Sequence, residues 1–154
     1  MKIVGITQAR IGSSRLPKKV LLEIKNKTLL AYHLERITQS NSVNKWIVAT
    51  TNETDSDAIC KIAEDYNISS FKGSLEDVLD RFYQAVKHED AQYVVRVTSD
   101  CPLIDSQLID ETVQFCVNEK LDYYSNVFED SYPDGLDVEV FSFKTLEEAW
   151  QKAS

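Results

Sequence analysis

Four short strand-like runs, three of them mostly apolar, alternate with segments of helical periodicity, and this alternation constrains the fold of the chain more than any other feature. The runs have the length of buried strands, and the segments between them carry apolar residues at the spacing of amphipathic helices. The runs cover residues 3–6, 45–50, 68–71 and 93–97, and the helical segments cover 28–40, 54–66 and 75–87. This alternation predicts a mostly parallel sheet with helices on both faces, which is a three-layer α/β/α sandwich.

Four further elements are predicted after the fourth strand-like run. They are helices over 106–118 and 143–152 and strands over 122–127 and 136–141. Asp105 or Ser106 is the expected cap of the first of these helices. In the predicted strand 136–141, successive side chains point to opposite faces, which puts Asp137 and Glu139 on the same face. These two carboxylates either border a site or form the solvent side of an edge strand.

Size and composition narrow the class of protein. A chain of 154 residues with 43% hydrophobic residues can bury one core, so one domain is expected. No apolar run approaches the roughly 20 residues of a membrane span, and the N-terminus lacks a signal-peptide pattern, which predicts a cytoplasmic protein with no membrane partner. The three cysteines lack paired metal-ligand spacing, which argues against a disulfide framework or a zinc site. A pI of about 4.8 argues against nucleic-acid binding.

Positive charge is concentrated in the loop that follows the first predicted strand, residues 8–21. Residues 1–27 carry seven Lys and Arg against one acid, whereas the remainder carries ten against twenty-four. Gly12 and Ser13 allow a tight turn with free backbone donors, at the strand end where open α/β sheets bind ligands. The sequence matches neither the Gly-Lys-Ser/Thr phosphate loop nor the Gly-x-Gly-x-x-Gly fingerprint. We therefore expect a different kind of phosphate site, with a solvated basic loop as the alternative.

A single aspartate follows the fourth predicted strand. Asp100 lies just past residues 93–97, and Pro102 turns the chain directly after it. Phosphoryl chemistry commonly uses such a carboxylate for Mg²⁺, which takes oxygen ligands from one or two carboxylates and from substrate phosphates. Asp100 is therefore the predicted magnesium ligand, although a strand-end aspartate also caps turns.

Other polar residues are better explained by structure than by function. His33 is expected to be a hydrogen-bonded helix histidine, and Arg96, inside a strand, to pair with a buried acid. Asp55 and Asp57 are expected to cap the helix that follows them. We therefore leave these four residues out of the predicted site.

The basic loop resembles the signature loop of the nucleotide-sugar pyrophosphorylases, in particular of the cytidylyltransferases that activate acidic sugars such as 3-deoxy-manno-octulosonate and acylneuraminate. The resemblance rests on the pattern Ala9-Arg10-x-x-Ser13-x-Arg15-Leu16-Pro17-x-Lys19-x-Leu21. A second pattern, Tyr-Pro-x-Gly-x-Asp-x-Glu-x-Phe over 132–141, resembles the branch named for spore coat polysaccharide biosynthesis, SpsF. The resemblance implies the Rossmann-like fold of the nucleotide-diphosphosugar transferases.

The resemblance also implies roles for individual residues. Arg10, Arg15 and Lys19 would neutralise the triphosphate as catalytic cations, Asp100 would hold Mg²⁺, and Ala9, Gly12, Ser13, Ser74 and Arg81 would contact the nucleotide. Asp137 and Glu139 would border the sugar or supply a second metal ligand. Two of these residues have equally good structural explanations, because Ser74 can be a helix N-cap and Arg81 can pair with Asp77 on the helix surface.

By this resemblance the chain transfers CMP from CTP to a sugar, expected to be acidic, with Mg²⁺ as cofactor and pyrophosphate as product, in surface or spore-coat polysaccharide biosynthesis. CTP and the sugar are the expected partners, and homodimerisation is left open. Full family members are longer, so residues 1–154 are expected to be a single nucleotidyltransferase domain without the C-terminal part of the family fold. The alternatives are a glycosyltransferase of related fold that uses a nucleotide-sugar and a non-catalytic nucleotide-binding module.

Overall fold

The fold is described from a computed structural model, which covers residues 1–12, 16–127 and 132–153. In chain order the strands are β1 (Ile3–Gln8), β2 (Glu23–Ile24), β3 (Lys27–Thr28), β4 (Lys45–Thr51), β5 (Ser69–Gly73), β6 (Tyr93–Thr98), β7 (Tyr123–Ser125) and β8 (Glu139–Ser142). The helices are α1 (Leu29–Ile37), α2 (Asp57–Asp65), α3 (Val78–Val86), α4 (Ser106–Asn118) and α5 (Phe143–Lys152).

One six-stranded sheet with the order β5-β4-β1-β6-β8-β7 forms the centre of the molecule. Strands β5, β4, β1 and β6 are parallel, and β8 pairs antiparallel with both β6 and β7. The predicted α/β fold with a mostly parallel sheet is therefore confirmed. The strands β2 and β3, which form a separate two-stranded hairpin, were not predicted.

Helices cover both faces of this sheet, which explains why the central strands β1, β4 and β6 are largely apolar. Two buried clusters lie on opposite faces. The first contains Leu30 of α1, Ile59 of α2 and Ile109 of α4, and the second contains Phe82 of α3 and Leu146 of α5. Neighbouring strand residues such as Ile47 and Val48 belong to opposite clusters. A parallel strand buried on both faces needs such a continuous apolar run.

The order of the strands creates a switch point between β1 and β6. From β1 the chain adds β4 and then β5 on one side, and it then crosses to β6 on the other side of β1. The last residues of the two strands, Gln8 and Thr98, are register partners. Open α/β sheets bind ligands outside the carboxyl ends of the strands at such a point. A ligand site is therefore expected at the loops after Gln8 and Thr98.

The caps of the helices agree with the sequence predictions at α4 and differ at α2 and α3. Asp105 accepts hydrogen bonds from two amides of α4, as expected, and the Thr28 hydroxyl, which accepts one from the Ala31 amide, caps α1. Helix α3, however, begins at Val78, and Asp77 is its cap. The Ser74 hydroxyl instead accepts from the Asp77 amide at 3.0 Å, in the turn before the helix. The alternative explanation of Ser74 as the helix N-cap is therefore wrong.

The predicted capping by Asp55 and Asp57 is also wrong. A short 3₁₀ turn over Thr54–Ser56 precedes α2, and Ser56 occupies the cap position without a side-chain hydrogen bond. Asp55 instead forms an ion pair with Lys18 at 3.2 Å, and Asp57 forms one with Lys72. Both acids bind cations from distant segments, which local capping patterns cannot predict.

The last two strands are shorter than predicted. The strand expected over 122–127 covers Tyr123–Ser125, and the one expected over 136–141 covers Glu139–Ser142. Asp137 therefore precedes the strand. Within the described ranges, no helix is long and apolar enough to span a membrane.

Candidate active site

The loops after β1 and β6 meet at the switch point. The Ser99 amide donates a hydrogen bond to the Gln8 carbonyl at 3.3 Å, which joins the two loops directly past the strand ends. Further along the loops, the Lys19 ammonium donates to Oδ2 of Asp100 at 3.0 Å. The basic loop and the strand-end aspartate, predicted separately from the sequence, therefore face each other across one cleft.

Backbone contacts and buried residues fix the base of the basic loop. The Ala9 amide donates to the Ala49 carbonyl at 3.1 Å, and the Lys18 amide donates to the Ile11 carbonyl at 3.0 Å. Ala9, Ile11 and Val20 are buried in the core. These anchors hold the start and end of the loop, so that the charged side chains of the loop project from a fixed frame.

A cleft of about 360 Å³, which we call the cationic cleft, opens between the two loops and helix α3. It is lined by Gln8, Ala9, Arg10, Lys19, Val20, Val78, Arg81, Thr98, Ser99 and Asp100. Three of these residues are cationic and one is acidic. The structure therefore brings together five residues of the predicted site: Ala9, Arg10, Lys19, Arg81 and Asp100.

Gly12 and Ser74, two predicted nucleotide contacts, are not among the described residues that line this cleft. Two further predicted residues, Ser13 and Arg15, lie outside the described residues, so their roles stay predictions. The Ser74 hydroxyl is engaged in its own turn. At Gly12 a Cβ atom would lie 3.1 Å from a carboxylate oxygen of Glu53, so this glycine lets the loop approach the segment after β4.

Arg81 is the least expected member of the cationic cleft. Its side chain is 3% exposed, and its guanidinium donates to the Ser74 carbonyl. The alternative explanation, a surface pair with Asp77, is wrong, since α3 turns Arg81 toward the sheet. Burial and the nearby charge of Arg10 lower the pKa of Arg81. Its buried Nε has no hydrogen-bond partner among the described residues, so the guanidinium retains a donor near the cleft.

Asp100 has the environment of an ionised carboxylate. Burial, the largest single influence, would raise its pKa, but the hydrogen bond and the charge of Lys19, together with hydrogen bonds from Thr98 and from its own backbone, outweigh burial, and the pKa of Asp100 is lowered. No group of three or more His, Cys, Asp or Glu side chains that could hold a metal occurs among the described residues. A lone ionised carboxylate beside a cationic cleft fits an ion such as Mg²⁺, which completes its coordination with phosphate oxygens and water.

A second compartment of about 810 Å³ adjoins the cationic cleft. It is lined by Lys19, Thr98, Asp100, Cys101, Pro102, Leu103, Pro133, Asp134, Gly135, Leu136 and Asp137. Lys19, Thr98 and Asp100 line both spaces, so the Lys19–Asp100 pair stands at their junction. We call this space the acidic compartment, because three of its residues are aspartates and one is a lysine.

A recess of about 170 Å³ shares Thr98 and Asp137 with the acidic compartment and also contains Arg96 and Glu139. Arg96 and Glu139 are register partners on β6 and β8 and form an ion pair, so the predicted acid partner of Arg96 is Glu139. The Tyr123 hydroxyl donates to Glu139 at 2.6 Å. Asp137 and Glu139 thus line the same recess, but Glu139 is already engaged in these contacts.

His33 has the structural role predicted for it. Its Nδ1 lies 3.0 Å from the Cys101 carbonyl, which can only accept, so Nδ1 carries the proton and Nε2 accepts from the Thr7 hydroxyl at 2.8 Å. Burial, which outweighs the Cys101 hydrogen bond and the charge of Asp100, lowers the pKa of His33 to about 4. A neutral histidine therefore ties α1 to the turn that carries Asp100.

Sequence reasoning missed several residues that line the two spaces, among them Gln8, Thr98 and Ser99. Their signal is positional: they end or directly follow two strands that were predicted to be buried and parallel. A polar side chain at the last position of such a strand faces the ligand edge of the sheet. These residues belong to no sequence motif, so motifs alone could not predict them as part of the site.

An open, mostly parallel sheet with a cationic loop and an ionised carboxylate at its switch point defines a nucleotide-binding α/β domain of the nucleotidyltransferase type. The family model for cytidylyltransferases matches residues 4–154, and the chain belongs to this family.

Several known proteins are similar to this chain over most of its length. An uncharacterized protein of Methanocaldococcus jannaschii is 42% identical over 153 residues, which are 99% of this chain and 62% of that protein. The spore coat polysaccharide biosynthesis protein SpsF of Bacillus subtilis is 33% identical over 125 residues, covering 79% of this chain and 52% of SpsF. The structure of a cytidylyltransferase from Leptospira borgpetersenii superposes with a TM-score of 0.93 at 34% identity, covering 99% of this chain and 65% of that one. The chain thus spans about half to two thirds of the length of these relatives.

Proposed function

We propose that this chain is the nucleotidyl-transfer domain of a cytidylyltransferase that transfers CMP from CTP to a sugar and releases pyrophosphate. The contact between Lys19 and Asp100 carries this proposal, because it places a loop cation and a strand-end acid at the junction of two compartments. A transfer between two substrates needs two adjoining binding spaces with the reacting phosphate between them. Membership of the cytidylyltransferase family supports the same reaction.

In this proposal the triphosphate of CTP occupies the cationic cleft. Arg10, Lys19 and Arg81 supply positive charge from three separate positions around it, and Arg15 is the fourth predicted cation. Preorganised cations stabilise the charge that develops on the leaving pyrophosphate, and they act strongly where protein excludes water. Lys19 exchanges part of its contact with Asp100 for phosphate oxygens when the nucleotide binds.

Asp100 is the proposed magnesium ligand. Magnesium held by this carboxylate and by phosphate oxygens would neutralise charge at the α-phosphate and hold the triphosphate in one conformation. His33 holds the turn that carries Asp100, because its Nδ1 donates a hydrogen bond to the Cys101 carbonyl. The carboxylate is therefore held in place before any ligand arrives.

The sugar occupies the acidic compartment. One of its hydroxyl groups attacks the α-phosphorus and gives up its proton to solvent water, a new oxygen–phosphorus bond forms, and the bond to the pyrophosphate leaving group breaks. Proximity and orientation across the Lys19–Asp100 junction supply much of the rate enhancement. Because the relatives are longer, we propose that residues 1–154 form a single nucleotidyltransferase domain and that the family fold continues beyond it.

The cellular role proposed for the product is the synthesis of a surface polysaccharide. The name of the Bacillus subtilis relative assigns that protein to spore coat polysaccharide biosynthesis, and the chain matches most of its own length to it. A nucleotide-activated sugar is the form in which such pathways use their building blocks, so a CMP-sugar product fits this role.

Ligand-induced stabilisation tests the proposal. Thermal unfolding with CTP, UTP, GTP or ATP, each with Mg²⁺, is expected to show the largest rise in Tm with CTP, because a ligand that binds only the folded state stabilises it. Pyrophosphate release is then measured with a panel of sugars. Binding of CTP without turnover on any sugar would support a non-catalytic nucleotide-binding module, and preference for ATP or GTP would contradict cytidylyl transfer.

A further inference from the structure

Residues 133–137 form one wall of the acidic compartment. They supply five of the eleven described residues that line it, and they lie between β7 and β8 without belonging to either strand. At Gly135, whose φ is +92°, a Cβ atom would lie 3.8 Å from the Cys101 thiol. The wall therefore stands directly beside the turn that carries Asp100, and its position sets the width of the space that the proposed function gives to the sugar.

The side chain of Asn126 holds this wall together with a backbone bond. The Leu136 amide donates to the Pro133 carbonyl at 3.3 Å and closes a turn within the wall. Asn126 is 7% exposed, its Nδ2 donates to the Leu136 carbonyl at 2.9 Å, and its Oδ1 accepts from the Val138 amide at 2.8 Å. These contacts fix the backbone on both sides of Asp137.

Both side-chain bonds of Asn126 require an amide group. The Val138 amide can only donate and the Leu136 carbonyl can only accept, so the group between them must accept with one atom and donate with the other. The main-chain amide of Asn126 also donates to the Val138 carbonyl at 3.3 Å, which continues the pairing of β7 and β8 by one residue. The side chain of Asn126 thus bonds the chain just beyond the last pair of the two strands.

We propose that Asn126 is a positioning residue for the sugar, because it holds residues 133–137 beside the Asp100–Cys101 turn and so places the sugar hydroxyl against the α-phosphate. The inference rests on the proposed function, since it concerns the acceptor side of that reaction. Asn126 is not among the described residues that line the compartment or its recess, so it acts through the wall. Loss of this support acts on transfer to the sugar and leaves nucleotide binding unchanged.

The Asn126→Ala variant removes both side-chain bonds. We expect kcat/KM for the sugar, measured as pyrophosphate release with CTP and Mg²⁺, to fall by about 10–10²-fold, because small misplacements of a reacting group are costly, while the dissociation constant of CTP stays the same. The sugar used is the one that binds the unmodified protein most tightly among 3-deoxy-manno-octulosonate, N-acetylneuraminate, glucuronate, glucose and glucosamine.

Asn44→Ala is the matched control for this variant. The Asn44 Oδ1 also accepts from a backbone amide, that of Ile3 at 2.7 Å, but it does so at the amino end of β1, at the opposite end of the sheet from the site. This variant is expected to change neither kcat/KM for the sugar nor the CTP dissociation constant. Normal turnover by Asn126→Ala would overturn the inference and leave the proposed reaction intact.

The Asn126→Asp variant keeps the size of the side chain and makes the defect depend on pH. The ionised carboxylate still accepts from the Val138 amide but repels the Leu136 carbonyl, whereas the protonated carboxyl donates to that carbonyl again. The rate relative to the unmodified protein at the same pH should therefore rise as the pH falls from about 8 to about 5.5, because burial favours the protonated form. This variant also serves if Asn126→Ala does not fold.

A defect of Asn126→Asp that does not change with pH, or that weakens CTP binding as much as it lowers kcat/KM for the sugar, overturns the inference. If the unmodified protein binds CTP and a sugar but releases no pyrophosphate, the proposed reaction fails. The dissociation constant of the sugar, measured by NMR with CTP present, then decides: weakening by about tenfold in Asn126→Ala supports the inference and an unchanged constant overturns it. Absence of sugar binding to the unmodified protein overturns both.

Discussion

Lys19 and Asp100 lie 81 positions apart in the sequence, and their side chains meet at 3.0 Å. The contact joins the end of the basic loop to the first turn after β6, two segments that are neighbours only because β6 pairs with β1 across the switch point of the sheet. The pair borders both the cationic cleft and the acidic compartment. Sheet topology thus assembles the proposed reaction centre from distant parts of the chain.

Removal of a single loop cation is expected to slow the reaction strongly. Lys19→Ala and, by sequence prediction, Arg15→Ala should each lower the rate of pyrophosphate release by about 10²–10³-fold, the usual effect of losing one preorganised electrostatic stabiliser. The rate is measured with a sugar that the unmodified protein accepts. Lys61→Ala, which removes a lysine that is 75% exposed on α2, is the matched control and should be neutral. Near-normal turnover in both loop variants would show that the loop does not contact the triphosphate.

Arg81→Met is expected to separate nucleotide binding from stability. The substitution keeps much of the apolar stem and removes a buried charge that burial and Arg10 both disfavour. We therefore expect a Tm without ligand close to that of the unmodified protein, together with about tenfold weaker CTP binding, as for a lost charge-assisted hydrogen bond. Calorimetric titration and thermal unfolding measure the two quantities. Unaltered CTP affinity would mean that Arg81 serves the fold alone.

His33 is expected to make the protein less stable as the pH falls. Burial lowers the pKa of His33 from the ordinary 6.5 to about 4, so the unfolded chain takes up a proton before the folded protein does. The stability from burying a neutral ring is complete above about pH 6.5 and is lost as the pH falls toward 4. The loss amounts to about 3 kcal/mol at its largest.

Urea unfolding at several pH values between 4 and 7 measures this dependence. In His33→Gln the fall in the free energy of unfolding should be much smaller, because no ring is left to take up a proton. His88, the only other histidine, is exposed, and His88→Gln should retain the full dependence. An equal fall in both variants would assign the pH dependence to other groups.

The layers of the fold could be predicted from the sequence, whereas some of its edges could not. Buried parallel strands must be apolar on both faces, so the runs that became β1, β4 and β6 were visible without any structure. The hairpin of β2 and β3 was not visible, because its strands have two residues each and are partly exposed, with polar residues such as Glu23 and Lys27. Short polar strands bury too little apolar surface to leave a pattern.

The candidate site, like the fold, could be predicted from the sequence only in part. The cleft shared by Arg10, Lys19 and Asp100 follows from a general rule, since loops after neighbouring parallel strands meet at one edge of the sheet. Burial of Arg81 breaks the local pattern, because a charged residue on an amphipathic helix is normally exposed. Only tertiary structure decides such cases. The expected capping by Asp55 and Asp57 failed for the same reason, because their partners come from other segments of the chain.

The dependence of CTP affinity on Mg²⁺ tests the proposed site most directly. CTP is titrated calorimetrically into the unmodified protein and into Asp100→Asn, with Mg²⁺ and with a chelator in its place. If Asp100 holds the ion against the triphosphate, Mg²⁺ should tighten CTP binding to the unmodified protein by about tenfold or more and should have little effect on the variant. An equal gain from Mg²⁺ in both proteins would place the metal elsewhere and contradict the proposed site.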